Sequence, residues 1–127
     1  MDNDRRHALH VVIASGPEAL GRAVLGFAFA VSAAVSGIKV MVILTLNGTA
    51  WAYENEPLIK QTQNGFDSIA NYMEILKDNG ATVSLCSTCL ENNCTPARSS
   101  NKRSLSYVGL TELAIRSVNG PAQTVIF

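Results

Sequence analysis

Hydrophobic positions along this chain follow two alternating rhythms. Ala8 to Ala14, Ile38 to Leu46 and Ala81 to Cys86 are short apolar runs rich in Val, Ile and Leu. Ser15-Gly16-Pro17 closes the first, Asn47-Gly48 closes the second, and Asn79-Gly80 precedes the third. Such runs predict strands buried on both faces, as in a parallel sheet. From Pro17 to about Ser36 the chain is apolar nearly all round, with Glu18 and Arg22 as its only charges. That predicts a helix capped by Ser15 or Gly16, with Pro17 at its first position and Glu18 in its positive first turn. Gly37 stops it. A helix without a polar stripe is buried on most sides, here between the sheet and a neighbouring subunit.

The spacing Phe66, Ile69, Ala70, Met73, Leu76 predicts an amphipathic helix that ends at Asn79-Gly80. Thr49 to Asn64 has no clear period and reads as a long loop, with one short helical turn near Leu58 to Gln61. Trp51, Tyr53 and Tyr72 read as packing or subunit-contact residues. Glu91 to Ser104 is polar and irregular. Leu105 to Val108 is a short fourth strand, Leu110 to Val118 a last helix closed by Asn119-Gly120-Pro121, and Gln123 to Phe127 a final strand. Strand–helix alternation with two-sided apolar strands argues for an α/β fold: a parallel sheet, right-handed crossovers and helices on both faces.

Length and charge narrow the partners. The 127 residues make one domain, 1–127, large enough for one core. Only 16% of residues are charged and the formal net charge is zero, so no single-sign field attracts nucleic acid or an anionic membrane. Surface left neither charged nor strongly polar points to oligomerisation. The longest apolar stretch, Ala23 to Val35, is shorter than the ~20 residues of a membrane span. With no signal-peptide pattern, the expected location is cytoplasmic, where thiols stay reduced unless they turn over.

The chemistry gathers in one place. All three cysteines, Cys86, Cys89 and Cys94, lie within nine residues, beginning where the third strand ends. In an open parallel sheet, ligands and catalytic groups collect at the carboxyl ends of strands, which also places Ser15, Gly16, Asn47 and Gly48 as pocket walls. A thiol near backbone amides and basic side chains deprotonates and becomes a nucleophile; Arg98, Lys102 and Arg103 are the candidate cations, or equally a solvated loop face. The competing readings are a Cys86-x-x-Cys89 dithiol redox pair and a small buried hydrophobe at Cys86. A metal site on the three thiols lacks a fourth cysteine, and His7 or His10 closes it only if the first strand lies beside the loop. His10 reads as a hydrogen-bonded core residue and His7 as a surface one. No Ser/His/Asp set, paired carboxylates or GxGxxG is present, and neither cofactor nor metal is expected.

The order and spacing of these segments carry a resemblance. HVVIASGPEALGRAVLGFAFAVSAAVSGIKVMVILTLNG, NGATVSLCSTCLENN and LTELAIRSVNGPAQTVIF resemble the DsrE family of small sulfur-relay proteins. CSTCL is similar to the CGTCL of its YedF-like branch, with Ser87 in place of glycine and a longer following loop that holds Cys94. The resemblance implies a three-layer α/β/α sandwich with a mostly parallel five-stranded sheet, assembled into homotrimers or homohexamers. It also implies a cysteine that holds sulfur as persulfide or thiosulfonate and exchanges it with TusA-like or rhodanese-like proteins. Cys86 matches the sulfur-bearing position and Cys89 the second cysteine; Cys94 is a further relay or resolving candidate. The resulting expectation is a sulfur carrier or sulfurtransferase-type protein. Its alternatives are a CxxC redox protein and a non-catalytic oligomeric assembly subunit.

Overall fold

The structure, a computed structural model, describes residues 8–53, 57–88, 105–119 and 123–127. Five strands form one sheet: β1 (Ala8–Ile13), β2 (Lys39–Leu44), β3 (Thr82–Cys86), β4 (Ser106–Val108) and β5 (Gln123–Ile126). Their order is β4-β3-β2-β1-β5, and every neighbouring pair is parallel. The α-helices whose full ranges lie among the described residues are α1 (Leu20–Val35), α2 (Ile69–Asp78) and α3 (Leu110–Asn119).

The layering follows from the hand of the connections. The chain steps from β1 to β2 to β3 in one direction and returns from β4 to β5 in the other. Right-handed crossovers taken in opposite directions put their helices on opposite faces. Accordingly, α1 and α2 share a face, where Val11, Ile13, Val42, Leu44 and Leu85 of the strands meet Phe27 of α1 and Leu76 of α2. On the other face, Leu113 of α3 packs with Val12, Ile43, Cys86 and Val108. The central strands β1 and β2 are apolar on both sides because both sides are covered.

The first core is the larger and includes Trp51, which is fully buried. Burying a large apolar side chain of this kind contributes roughly 1.5–3 kcal/mol. Tyr53 is buried there too, as packing residues should be. Pro17–Val35 is long and apolar enough by length and composition to cross a membrane. Core helices meet the same criterion, and Ala23, Val24, Phe27 and Ala30 of α1 are buried in this fold.

Three local expectations are corrected. Leu46–Ala52, expected as the end of the second strand, a turn and the start of a loop, is a 3-10 helix whose indole anchor donates from Trp51 Nε1 to the Ser15 carbonyl at 2.8 Å. The short helical turn expected near Leu58 is present as a 3-10 turn at Pro57–Lys60. Phe66 stands outside α2: Asn64 and Gly65, with φ of 46° and 87°, form a tight turn bridging Gln63 to Phe66. Helix α2 begins only after Ser68, whose hydroxyl accepts the Asn71 amide at 3.2 Å. Ahead of α1 the cap position is Gly16 rather than Ser15, with Pro17 first and Glu18 in the first turn as expected, but that turn is not α-helical. A 3-10 turn, Pro17–Ala19, comes first, and the Glu18 carboxylate reaches back to accept the Gly16 amide.

Candidate functional site

Register places the residues singled out in the sequence at one rim. Ile13 pairs with Leu44 and Leu44 with Leu85, so the carboxyl ends of β1, β2 and β3 lie level. Ser15 and Gly16 leave β1 there, Asn47 and Gly48 follow β2, and Cys86 is the last residue of β3.

Ser15, Gly16, Asn47 and Gly48 do come together, in a tighter way than a pocket wall. A Cβ on Gly16 would lie within the Asn47 carbonyl oxygen, and one on Gly48 within the Ile13 carbonyl oxygen. Both glycines are therefore demanded by close passage of two backbones. The Thr45 amide donates to the Ile13 carbonyl at 3.0 Å and fastens the same crossing. Leu46 is held at φ 50°, a conformation uncommon for a side chain of its kind, immediately before Asn47. Glu18 belongs to this cluster although the sequence marked it only as a first-turn acid. Its slight burial acts to raise the carboxyl, but hydrogen bonds from the Gly16 and Glu18 amides and the Asn47 side chain outweigh this and hold it below the usual carboxylate range.

Cys86 is a free thiol and only 1% exposed. Its neighbours Val12, Ile43, Val108 and Leu113 are apolar. One row nearer the amino ends, Ser84 and Ser106 share a hydroxyl hydrogen bond of 2.7 Å. Leu113 is the one buried residue of α3, whose Leu110, Ile115 and Val118 stand largely exposed. Beyond Cys86 the chain turns helical at Ser87 and Thr88, so the first cysteine sits at a strand-to-helix junction, where the sequence suggested only a strand end.

Cys89, Cys94 and Arg98 lie outside the described residues, as do Lys102, Arg103 and His7. Among the described residues no three His, Cys, Asp or Glu side chains converge as a metal site requires. His10 is buried in the core as expected, and its Nδ1 has no hydrogen-bond partner among the described residues.

The model of the DsrE/DsrF-like family matches residues 7–117. The chain belongs to that family. A search of the solved structures finds similarity to the YchN protein from E. coli, with a TM-score of 0.71 at 16% identity, covering 95% of this chain and 99% of that one. At that identity the likeness is one of fold: the same five-stranded parallel α/β architecture. No curated protein sequence matches the chain.

Proposed function

We propose that this protein is a sulfur carrier, holding sulfur on a cysteine as persulfide or thiosulfonate and relaying it to partner proteins. The observation that carries the reading is the position of Cys86: in a DsrE/DsrF-like chain it ends β3 at the carboxyl rim, with two further cysteines following within eight residues. The Cys86 thiolate attacks the outer sulfur of a donor persulfide, the donor's S–S bond breaks, and the donor leaves as a thiolate. An acceptor thiolate then attacks the outer sulfur of Cys86–S–SH and releases the Cys86 thiolate. Each step exchanges one S–S bond for another, with no net oxidation.

The burial of Cys86 sets a condition on that mechanism. A thiol 1% exposed meets a donor only when its cover opens, and among the described residues Leu113 of α3 and Val108 of β4 belong to that cover. The same burial supports a second reading, in which Cys86 is a core residue and Cys89 or Cys94 receives the sulfur. Either reading uses Arg98 as the proposed cation that favours the thiolate.

TusA-like or rhodanese-like proteins are the proposed exchange partners, in the cytoplasm, and the carrier acts as a homotrimer or homohexamer. Exposed Leu25, Phe29 and Val35 on α1 support the oligomer, as does Ile126 on the edge strand β5. Intact-protein mass measured after incubation with polysulfide, on wild type and single Cys→Ser variants, tests the assignment. A sulfur gain lost in Cys86→Ser alone supports the first reading, and one lost in Cys89→Ser or Cys94→Ser alone the second. No gain, with a reversible disulfide instead, makes it a dithiol redox protein; no gain and no disulfide leaves a non-catalytic assembly subunit.

A further inference from the structure

A second group of polar residues lies at the amino-terminal end of the sheet, beneath the last turns of α3 and away from the cysteine rim. The register aligns His10 with Met41, Met41 with Thr82, and His10 with Thr124, so these four side chains form one row on the α3 face. Ala8 and Lys39 form the next row toward the amino ends. Of these rows, Ala8, His10, Lys39, Met41 and Thr82 line a cleft of about 400 Å³ together with Arg116 of α3, and Ala8 and Met41 give it an apolar floor. That volume falls within the range of small-molecule sites, and the arrangement of an apolar floor with a few polar groups is typical of them.

Two observations indicate what the cleft is built to hold. His10 is 5% exposed, and its Nδ1 is buried with no hydrogen-bond partner among the described residues, a condition that is costly unless something relieves it. The side chains of known charge around it are cationic. Lys39 stands at the mouth and Arg116 above, the latter shared with exposed Glu112 through an i, i+4 ion pair. Burial first, and the Arg116 charge second, lower the His10 pKa, so the ring is neutral near pH 7 and presents one N–H donor and one acceptor.

We infer that this cleft binds a small organic monoanion, a carboxylate or similar oxyanion on a compact apolar body. Lys39 and the Glu112-shared Arg116 carry the spare charge, the His10 ring and the Thr82 hydroxyl supply hydrogen bonds, and Met41 with Ala8 receives the apolar body. One unit of uncompensated cation favours a single negative charge over a phosphate dianion. The inference stands apart from the sulfur reading, because it uses none of the cysteines.

The test is an NMR titration of the full-length protein with benzoate, following the His10 imidazole resonances, which are assigned by their loss in His10→Gln. The expected result is a saturable shift in wild type that weakens about tenfold in Lys39→Ala or Arg116→Ala, both changes at exposed positions that leave the cores intact. Benzylammonium, of the same shape but opposite charge, should leave the resonances in place. A wild-type response that is absent or does not saturate would overturn the inference. So would wild-type affinity retained in both variants, or an equal response to benzylammonium.

Discussion

Cys86 and His10 occupy the same face of one sheet at opposite ends, and burial acts differently on each. For the imidazole the consequence is a pH dependence. A histidine whose folded pKa lies below its unfolded value of about 6.5 takes up its proton more readily in the unfolded chain. Its neutral form is accommodated above pH 6.5, and stability falls as pH drops from there toward the folded pKa. Urea midpoints should therefore decline between pH 7.5 and pH 5.5 in wild type and decline less in His10→Gln. For the glycines the consequence is steric. Gly48→Ala must push its Cβ away from the Ile13 carbonyl, so a loss of about 1–3 kcal/mol or more is expected in denaturant unfolding. Gly37→Ala meets no atom within 4 Å, but its φ of 91° limits it to a smaller cost from backbone strain. Neither the Gly16–Gly48 crossing nor the orphaned His10 nitrogen was legible in the sequence. Both arise where strands distant in the chain are brought into register.

The elements were far more legible than their ends. Two-sided apolar runs at β1, β2 and β3 and the stripe of Ile69, Met73 and Leu76 exist because both faces of the sheet are covered, and that pattern is written in composition. The 3-10 helix at Leu46–Ala52 was missed because it is secured by Trp51 docking onto Ser15, a tertiary contact with no local period. Phe66 fits the α2 spacing yet is 37% exposed, since the Asn64-Gly65 turn precedes the helix. Capping remains a local matter, and Ser68→Ala should lower stability by about 1 kcal/mol through loss of the Asn71 amide bond. Helix α3 holds its place over Cys86 through Leu113. Leu113→Ala should cost about 2–5 kcal/mol if the site stays open, and less if it collapses. It should also speed iodoacetamide alkylation of native Cys86, measured by peptide mass mapping; an unchanged rate would show that α3 is not the cover.

Across the whole molecule, the candidate site was legible as a location but not as a state. Clustered cysteines at a strand end identify the rim, whereas cysteine suits a core and a reactive site equally, so the 1% exposure of Cys86 needed the packed face to become visible. The apolar character of α1 extends beyond what the sheet covers, with Leu25 47% and Phe29 42% exposed and the Phe29 ring 5.4 Å from that of Phe127. If that surface joins subunits, Phe29→Asp should reduce the mass seen by light scattering from a trimer or hexamer toward a monomer while the helical circular-dichroism signal persists. An unchanged mass would place the contact elsewhere. The central claim, that this rim carries sulfur between proteins, is tested most directly by intact-protein mass after exposure to polysulfide. The account predicts that wild type gains one or more sulfur atoms, that a thiol acceptor removes them, and that the gain disappears in Cys86→Ser. A wild-type chain that gains no sulfur would contradict it.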